Sequence, residues 1–308
     1  MALNGVASIG ECMLELSGGQ SGGWGLNYAG DTFNTLWAIR ALTPSTVATD
    51  YVSAFGDDPF SAGQIEFFSK NGIGKASSPV ISGARPGLYA ITLTGAERSF
   101  TYWRNDAAAR QLANDPVALA KSLENRALVY FSGITLAILT PADRATLLAA
   151  IAEARRAGAT IAFDPNYRPR LWASQDEAKA ALAEALKVTD IALPTFPDEQ
   201  MLFGDADDEA TSNRLMAAGV TEIVVKNGAD PALIVSDAGR CAVPAIQVEA
   251  VDTTGAGDSF NGGYLAARLG GDGPTDAAKK AHRVAAATVQ VRGALAPVEL
   301  LRAAFNRA

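Results

Sequence analysis

The run Asp252-Thr253-Thr254-Gly255-Ala256-Gly257-Asp258-Ser259-Phe260 holds residue types at a spacing that could do chemistry. Glycines on either side of one small residue let the backbone approach a ligand with no side chain in the way. After it, Phe260, Tyr264 and Ala267 recur at helical spacing. The amides of Gly255, Ala256, Gly257 and Asp258 therefore open a helix N-terminus, where unpaired N–H groups and the helix dipole stabilise an anion. Asp258 would repel that anion unless the two meet through a third group, such as a hydroxyl receiving a phosphoryl group. The combination points to phosphoryl transfer, with Gly255, Ala256 and Gly257 holding the developing charge and Asp258 taking the acceptor's proton. A capped helix with an acid in its first turn is the plainer reading of the same residues.

Other chemistries are excluded by what the chain lacks. A dinucleotide fingerprint would need glycine where Phe260 stands, and the Gly74-Lys75 pair is followed by Ala76, which breaks a Walker A loop. His282 is the only histidine, so Ser-His-Asp and Cys-His nucleophiles and multi-histidine metal sites are out. Cys12 and Cys241 lie far apart and form no metal or disulfide pattern. A net charge of −7 without a basic run argues against a nucleic-acid surface. No apolar run approaches the ~20 residues of a membrane span, and the N-terminus does not read as a signal peptide. The expectation is a cytoplasmic enzyme.

The elements that must position these residues follow from pattern. With 308 residues, 48% hydrophobic and 19% charged, the chain suits one large α/β domain over 1–308. Val6 to Gly10 and Met13 to Leu16 read as strands, and a helix entered at Gly30 puts Asp31 and Asn34 on one face, where they could bind a polyol. Leu88–Leu93, a Gly95-Ala96-Glu97 turn and Ser99–Arg104 read as a hairpin, which with the strand near Leu14 makes a small sheet suited to a lid. From Leu128 onward strands and helices alternate, and the alternating run Ala245–Val251 predicts a strand ahead of the glycine turn. Such alternation indicates a mainly parallel sheet covered on both faces, with ligands beyond the carboxyl ends of its strands. Asp164, Thr195, Lys226 and Asp252 to Asp258 all fall just past strand ends.

These residues resemble the ribokinase-like (PfkB) carbohydrate kinases over nearly the whole chain. The general resemblance rests on Asp252 to Phe260 and on Gly30-Asp31-Thr32-Phe33-Asn34. A narrower resemblance, to the 2-keto-3-deoxygluconate kinases, rests on further stretches. They are Gly10 to Leu16, Pro86 to Tyr89, Tyr102 to Ala109, Ser132 to Leu139 and Asp164 to Trp172. The resemblance implies a ribokinase-like α/β fold: a central, mostly parallel β-sheet flanked by helices on both faces, with a small β-sheet lid from about 12–30 and 85–106. It implies phosphorylation of 2-dehydro-3-deoxy-D-gluconate by ATP at the 6-hydroxyl.

By the same resemblance Asp258 is the general base, and Gly30, Asp31, Asn34, Tyr89, Tyr102, Arg104 and Arg168 bind the keto sugar acid. Arginine forks suit its carboxylate, and Arg170 is an alternative to Arg168. ATP would meet Asn166, Arg168, Thr195, Lys226, Gly228 and Gly255 to Gly257, with His282 by the adenine. Mg²⁺ would be organised through water by Asp198 and Glu199, although Thr195 stands where relatives carry Asn. A monovalent cation, K⁺, would fit near Asp252 and Thr254. Relatives also imply a homo-oligomer, a dimer through the lid. The rival readings are another sugar kinase of this fold, of fructokinase or ribokinase type, and a sugar- or nucleotide-binding protein without catalysis.

Overall fold

The computed structural model describes residues 4–18, 23–94 and 97–307; the expected Gly95-Ala96 turn lies outside them. Its main sheet has eight strands. In spatial order they are Gly239–Val243, Ala232–Ser236, Glu222–Val225, Ile191–Ala192, Thr160–Asp164, Leu128–Ser132, Val6–Ile9 and Thr49–Val52. Pairings from Thr49–Val52 across to Glu222–Val225 are parallel, and the last two strands join antiparallel. Strand Leu128–Ser132 shows why helices must cover both faces. All of it is buried, and its side chains alternate between two cores.

Val129 and Phe131 point into a core that includes Leu147 and Ile151 of helix Pro141–Arg156 and Leu182 of helix Gln175–Leu186. Leu128 and Tyr130 point into the other, with Phe33 and Leu36 of helix Asp31–Leu42 and Phe260 and Tyr264 of helix Ala256–Leu269. Each fully buried side chain of this size contributes roughly 1.5–3 kcal/mol. Local signals set the helix ends. Ser174 and Thr140 accept N-terminal amides, and Gly204 closes helix Phe196–Phe203 in the left-handed region.

The second sheet is the expected small one. Its order is Trp24–Ala29, Met13–Gly18, Leu88–Thr94 and Glu97–Trp103, with the central pair parallel and the outer pairs antiparallel. A further pair, Phe55–Gly56 with Val80–Ile81, stands apart. One expectation fails. Residues 245–251 form no strand but an irregular run, with Ile246, Val248 and Val251 exposed. Alternation there has no neighbouring strand to pair with and no core to face, and Pro244 just before it lacks an N–H to extend the ladder.

Candidate active site

Gly255 takes φ +73 as the N-cap of helix Ala256–Leu269, and a β-carbon there would meet the Ala294 carbonyl oxygen at 2.9 Å. Only glycine sits comfortably in that conformation and space. At Gly257 the nearest atom to a β-carbon would be Lys226 Nζ, 3.9 Å away, so the turn is open on the side where the lysine arrives. Lys226 follows strand Glu222–Val225 and is buried, its Nζ donating to Asp164 at 2.8 Å and to Asn261 Oδ1 at 3.0 Å. Asn261 Nδ2 in turn donates to Asp164 at 2.7 Å and to the Tyr130 hydroxyl at 3.1 Å. A positive charge is thus held beneath the glycine turn by a buried network rooted in two strands and a helix.

Asp258 lies in the first turn of that helix. Its carboxylate accepts from Asn34 Nδ2 at 2.8 Å, and Asn34 Oδ1 accepts from the Gly30 amide, which fixes the orientation of the Asn34 side chain. Burial and the nearby Asp31 charge push the Asp258 carboxyl up to about 7, against the opposing effect of the Asn34 bond. Asp31 accepts from Asn166 Nδ2 at 2.9 Å, and burial raises its carboxyl too. Asn166 itself, with φ +35, bends the chain past strand Thr160–Asp164 and donates its amide to Asp164. The acids Asp31, Asp164 and Asp258 are therefore drawn together from three parts of the chain.

Above them a cleft of about 760 Å³ opens between the main sheet's strand ends and the small sheet. Every residue expected to bind a sugar acid lines it: Gly30, Asp31, Asn34, Tyr89, Tyr102, Arg104, Arg168 and Asp258. Their states differ from simple expectation. Arg104 is buried with Nη2 on the Glu11 carboxylate, and Arg168 is half-exposed with Nη1 on Asp198 at 3.0 Å. Burial works against the Arg168 charge, but Asp198 outweighs it and raises the guanidinium's pKa. Tyr89 donates its hydroxyl to Glu15, and burial followed by that carboxylate's charge keeps the phenol protonated. Tyr102 is 48% exposed beneath the mouth. Arg170 is the third arginine on the wall.

The profile of the pfkB family carbohydrate kinases matches residues 3–300. The chain belongs to this family. Among its relatives, a 2-dehydro-3-deoxygluconokinase of Dickeya dadantii is 42% identical, covering 98% of this chain and 100% of the relative. The enzyme of the same name from Escherichia coli K12 is 40% identical, covering 97% and 99%. Among solved structures, a ribokinase-type protein of Escherichia coli in complex with ATP and Mg²⁺ superposes with a TM-score of 0.85. It is 24% identical and is covered over 99% of this chain and 100% of that one. A Thermotoga maritima 2-dehydro-3-deoxygluconokinase superposes with a TM-score of 0.83 at 19% identity, over 100% and 99%. These likenesses establish the ribokinase-like fold of this pfkB-family kinase.

Several expected ligands of the pfkB-family site are engaged elsewhere. Glu199 is buried, with Oε2 accepting from Arg214 Nη2 at 2.6 Å, and burial pushes its carboxyl up to about 7. Arg214 also pairs with Asp205, which makes an ion-pair cluster, while Glu199 Oε1 is buried with no hydrogen-bond partner. Asp198 keeps its carboxylate at the site through Arg168. His282 is buried edge-on against Phe260, its Nε2 3.1 Å from the Val243 carbonyl, and burial lowers its pKa. It holds the end of the edge strand Gly239–Val243 against the helix Ala256–Leu269. Asp252 accepts from the amides of Thr254 and Gly293 at 3.0 and 2.9 Å, stapling the two turns around the glycine loop. No group of three or more His, Cys, Asp or Glu among the described residues could hold a metal ion.

Thr195 and Gly228 lie beside Lys226. Thr195 bridges to Lys226 between strand ends, and Gly228 has open space where a β-carbon would stand. Sequence reasoning missed Glu11, Glu15, Tyr130 and Asn261. The available signals were two acids, one just before and one within the strand Met13–Gly18, and an asparagine three residues past Asp258 on a helix face that is otherwise buried.

Proposed function

We propose that this kinase transfers the γ-phosphoryl group of ATP to the 6-hydroxyl of 2-dehydro-3-deoxy-D-gluconate, giving the 6-phosphate and ADP. One observation carries the reading: a carboxyl poised at about 7 in the first turn of a helix whose preceding glycine is left-handed, sharing one cleft with three arginines. The relatives that cover the whole chain and carry the name 2-dehydro-3-deoxygluconokinase support the same acceptor.

Asn34 orients Asp258, whose carboxylate accepts the hydroxyl proton as the oxygen–phosphorus bond forms and the bond to the leaving ADP oxygen breaks. The amides of Gly255 to Gly257 and the charge on Lys226 stabilise the phosphoryl oxygens as that charge shifts. Arg104, Arg168 and Arg170 supply guanidinium edges for the acceptor's carboxylate, while Gly30, Asp31, Tyr89 and Tyr102 meet its keto and hydroxyl groups. Asp198, held at the site by Arg168, would supply an outer carboxylate for Mg²⁺ through water. When bound, Mg²⁺ would neutralise phosphate charge. The small sheet acts as the lid, and its apolar residues Trp24, Leu26 and Trp103, each over 40% exposed, suit a dimer through that sheet.

The test is ADP release measured across 2-dehydro-3-deoxygluconate, fructose and ribose. Turnover is expected with the keto acid and little with the neutral sugars. Preference for fructose or ribose would sink the acceptor assignment and leave a sugar kinase of another specificity.

A further inference from the structure

Glu11 lies between strand Val6–Ile9 of the main sheet and strand Met13–Gly18 of the small sheet. It is 2% exposed, and its Oε2 accepts from Nη2 of Arg104, itself 8% exposed and just past strand Glu97–Trp103. One ion pair therefore ties the seam between the sheets to the far edge of the small sheet. Room for it is kept by Gly87, where a β-carbon would run into Glu11 Oε1 and stand 3.2 Å from Arg104 Cβ.

The pair is a poor stability device. Glu11 Oε1 and Arg104 Nε are both buried with no hydrogen-bond partner. Burying an ion pair rarely returns its desolvation cost even when every donor and acceptor is satisfied, and orphaned polar atoms add to that cost. Both residues nevertheless line the cleft. A guanidinium is a rigid plane, so holding Nη2 on one side fixes where its other N–H groups point. Nη1 makes no hydrogen bond to another described residue, so the plane is held from behind and open in front.

We propose that Glu11 is the positioning residue of acceptor recognition, clamping Arg104 so that Nη1 faces the acceptor's carboxylate. This rests on the keto-acid reading above. The negative charge behind Arg104 weakens its general pull on anions. What remains is a directional donor that rewards a carboxylate arriving at the right angle, which is selectivity more than attraction.

A double-mutant cycle tests it, with kcat and both KM values measured for the parent, Glu11→Gln, Glu11→Ala, Arg104→Ala and the Glu11→Ala/Arg104→Ala pair. For coupled neighbours, Glu11→Ala should raise KM for the keto acid about 10-fold while kcat and KM for ATP stay within about twofold. Glu11→Gln, which keeps an acceptor oxygen, should fall between, and it carries the measurement if the alanine variant does not fold. In the Arg104→Ala background, Glu11→Ala should add less than about a twofold change. An equal rise in both backgrounds, a matching rise in KM for ATP, or no change for the keto acid overturns the clamp. A parent enzyme inactive on the keto acid would overturn the acceptor assignment and the clamp with it. Keto-acid turnover with additive effects would overturn the clamp alone.

Discussion

A carboxyl at about 7 is half protonated at neutral pH, so the proposed base Asp258 would make activity depend on pH where most aspartates would not. As a base it must be ionised, and kcat/KM for the sugar should fall as pH drops below about 7. Asn34 favours the ionised form, so Asn34→Ala should move that acid limb to higher pH in the same kinetic profile. Asp258→Asn should cut kcat by about 10²–10⁴ while ATP affinity, read by titration calorimetry, stays near the parent value. Stability follows the opposite sense. The folded-state value lies above the ordinary 3.8, so any destabilisation from this carboxyl is absent below 3.8 and grows as pH rises to about 7. Melting curves should show Asp258→Asn more stable than the parent at pH 8, with no such gain at pH 4. Asp258, Asp31 and Asn34 were legible in the sequence because a glycine turn and a helix start are local patterns. Glu11 and Asn261 were not, since their meaning depends on Arg104 and Asp164, 93 and 97 residues away.

At the scale of elements, the glycine turn divides its two glycines between shape and access. Gly255→Ala must place a side chain at φ +73 against the Ala294 carbonyl, and should lower stability by at least about 1–2 kcal/mol in urea unfolding. Gly257→Ala meets nothing closer than Lys226 Nζ at 3.9 Å, so its melting temperature should hold while KM for ATP rises. The lysine beneath is the converse case. Lys226→Met leaves Asp164 buried and uncompensated between strand ends, a loss of about 3–5 kcal/mol by the same unfolding measurement. The alternation of strands and helices was readable because period and punctuation are properties of short windows. The failed strand at 245–251 marks the limit, since alternation says which face a run could bury and says nothing about whether a partner edge is there.

For the whole molecule, sheet order and the parallel pairing of Met13–Gly18 with Leu88–Thr94 were beyond reading, because the two strands are far apart in sequence and no local pattern sets their pairing. That pairing brings Tyr89, Tyr102 and Arg104 of the small sheet into one cleft with Asp31, Arg168 and Asp258. Trp24 and Trp103, 57% and 56% exposed on the small sheet, would be covered in a dimer. Sedimentation should find the parent dimeric and Trp103→Glu monomeric; a parent that stays monomeric at micromolar concentration removes the lid interface.

The bond from Tyr89 to Glu15 has a consequence for mimicry of the acceptor. Because the phenol's own hydrogen is committed to a carboxylate, its oxygen can only receive from a molecule bound in the cleft that Tyr89 lines. A hydroxyl on the bound molecule satisfies it. Fluorine at the same carbon is nearly the same size but has no hydrogen to give, and would set lone pair against lone pair. Deoxyfluoro analogues should therefore be rejected more sharply at that one carbon than their shape alone would suggest.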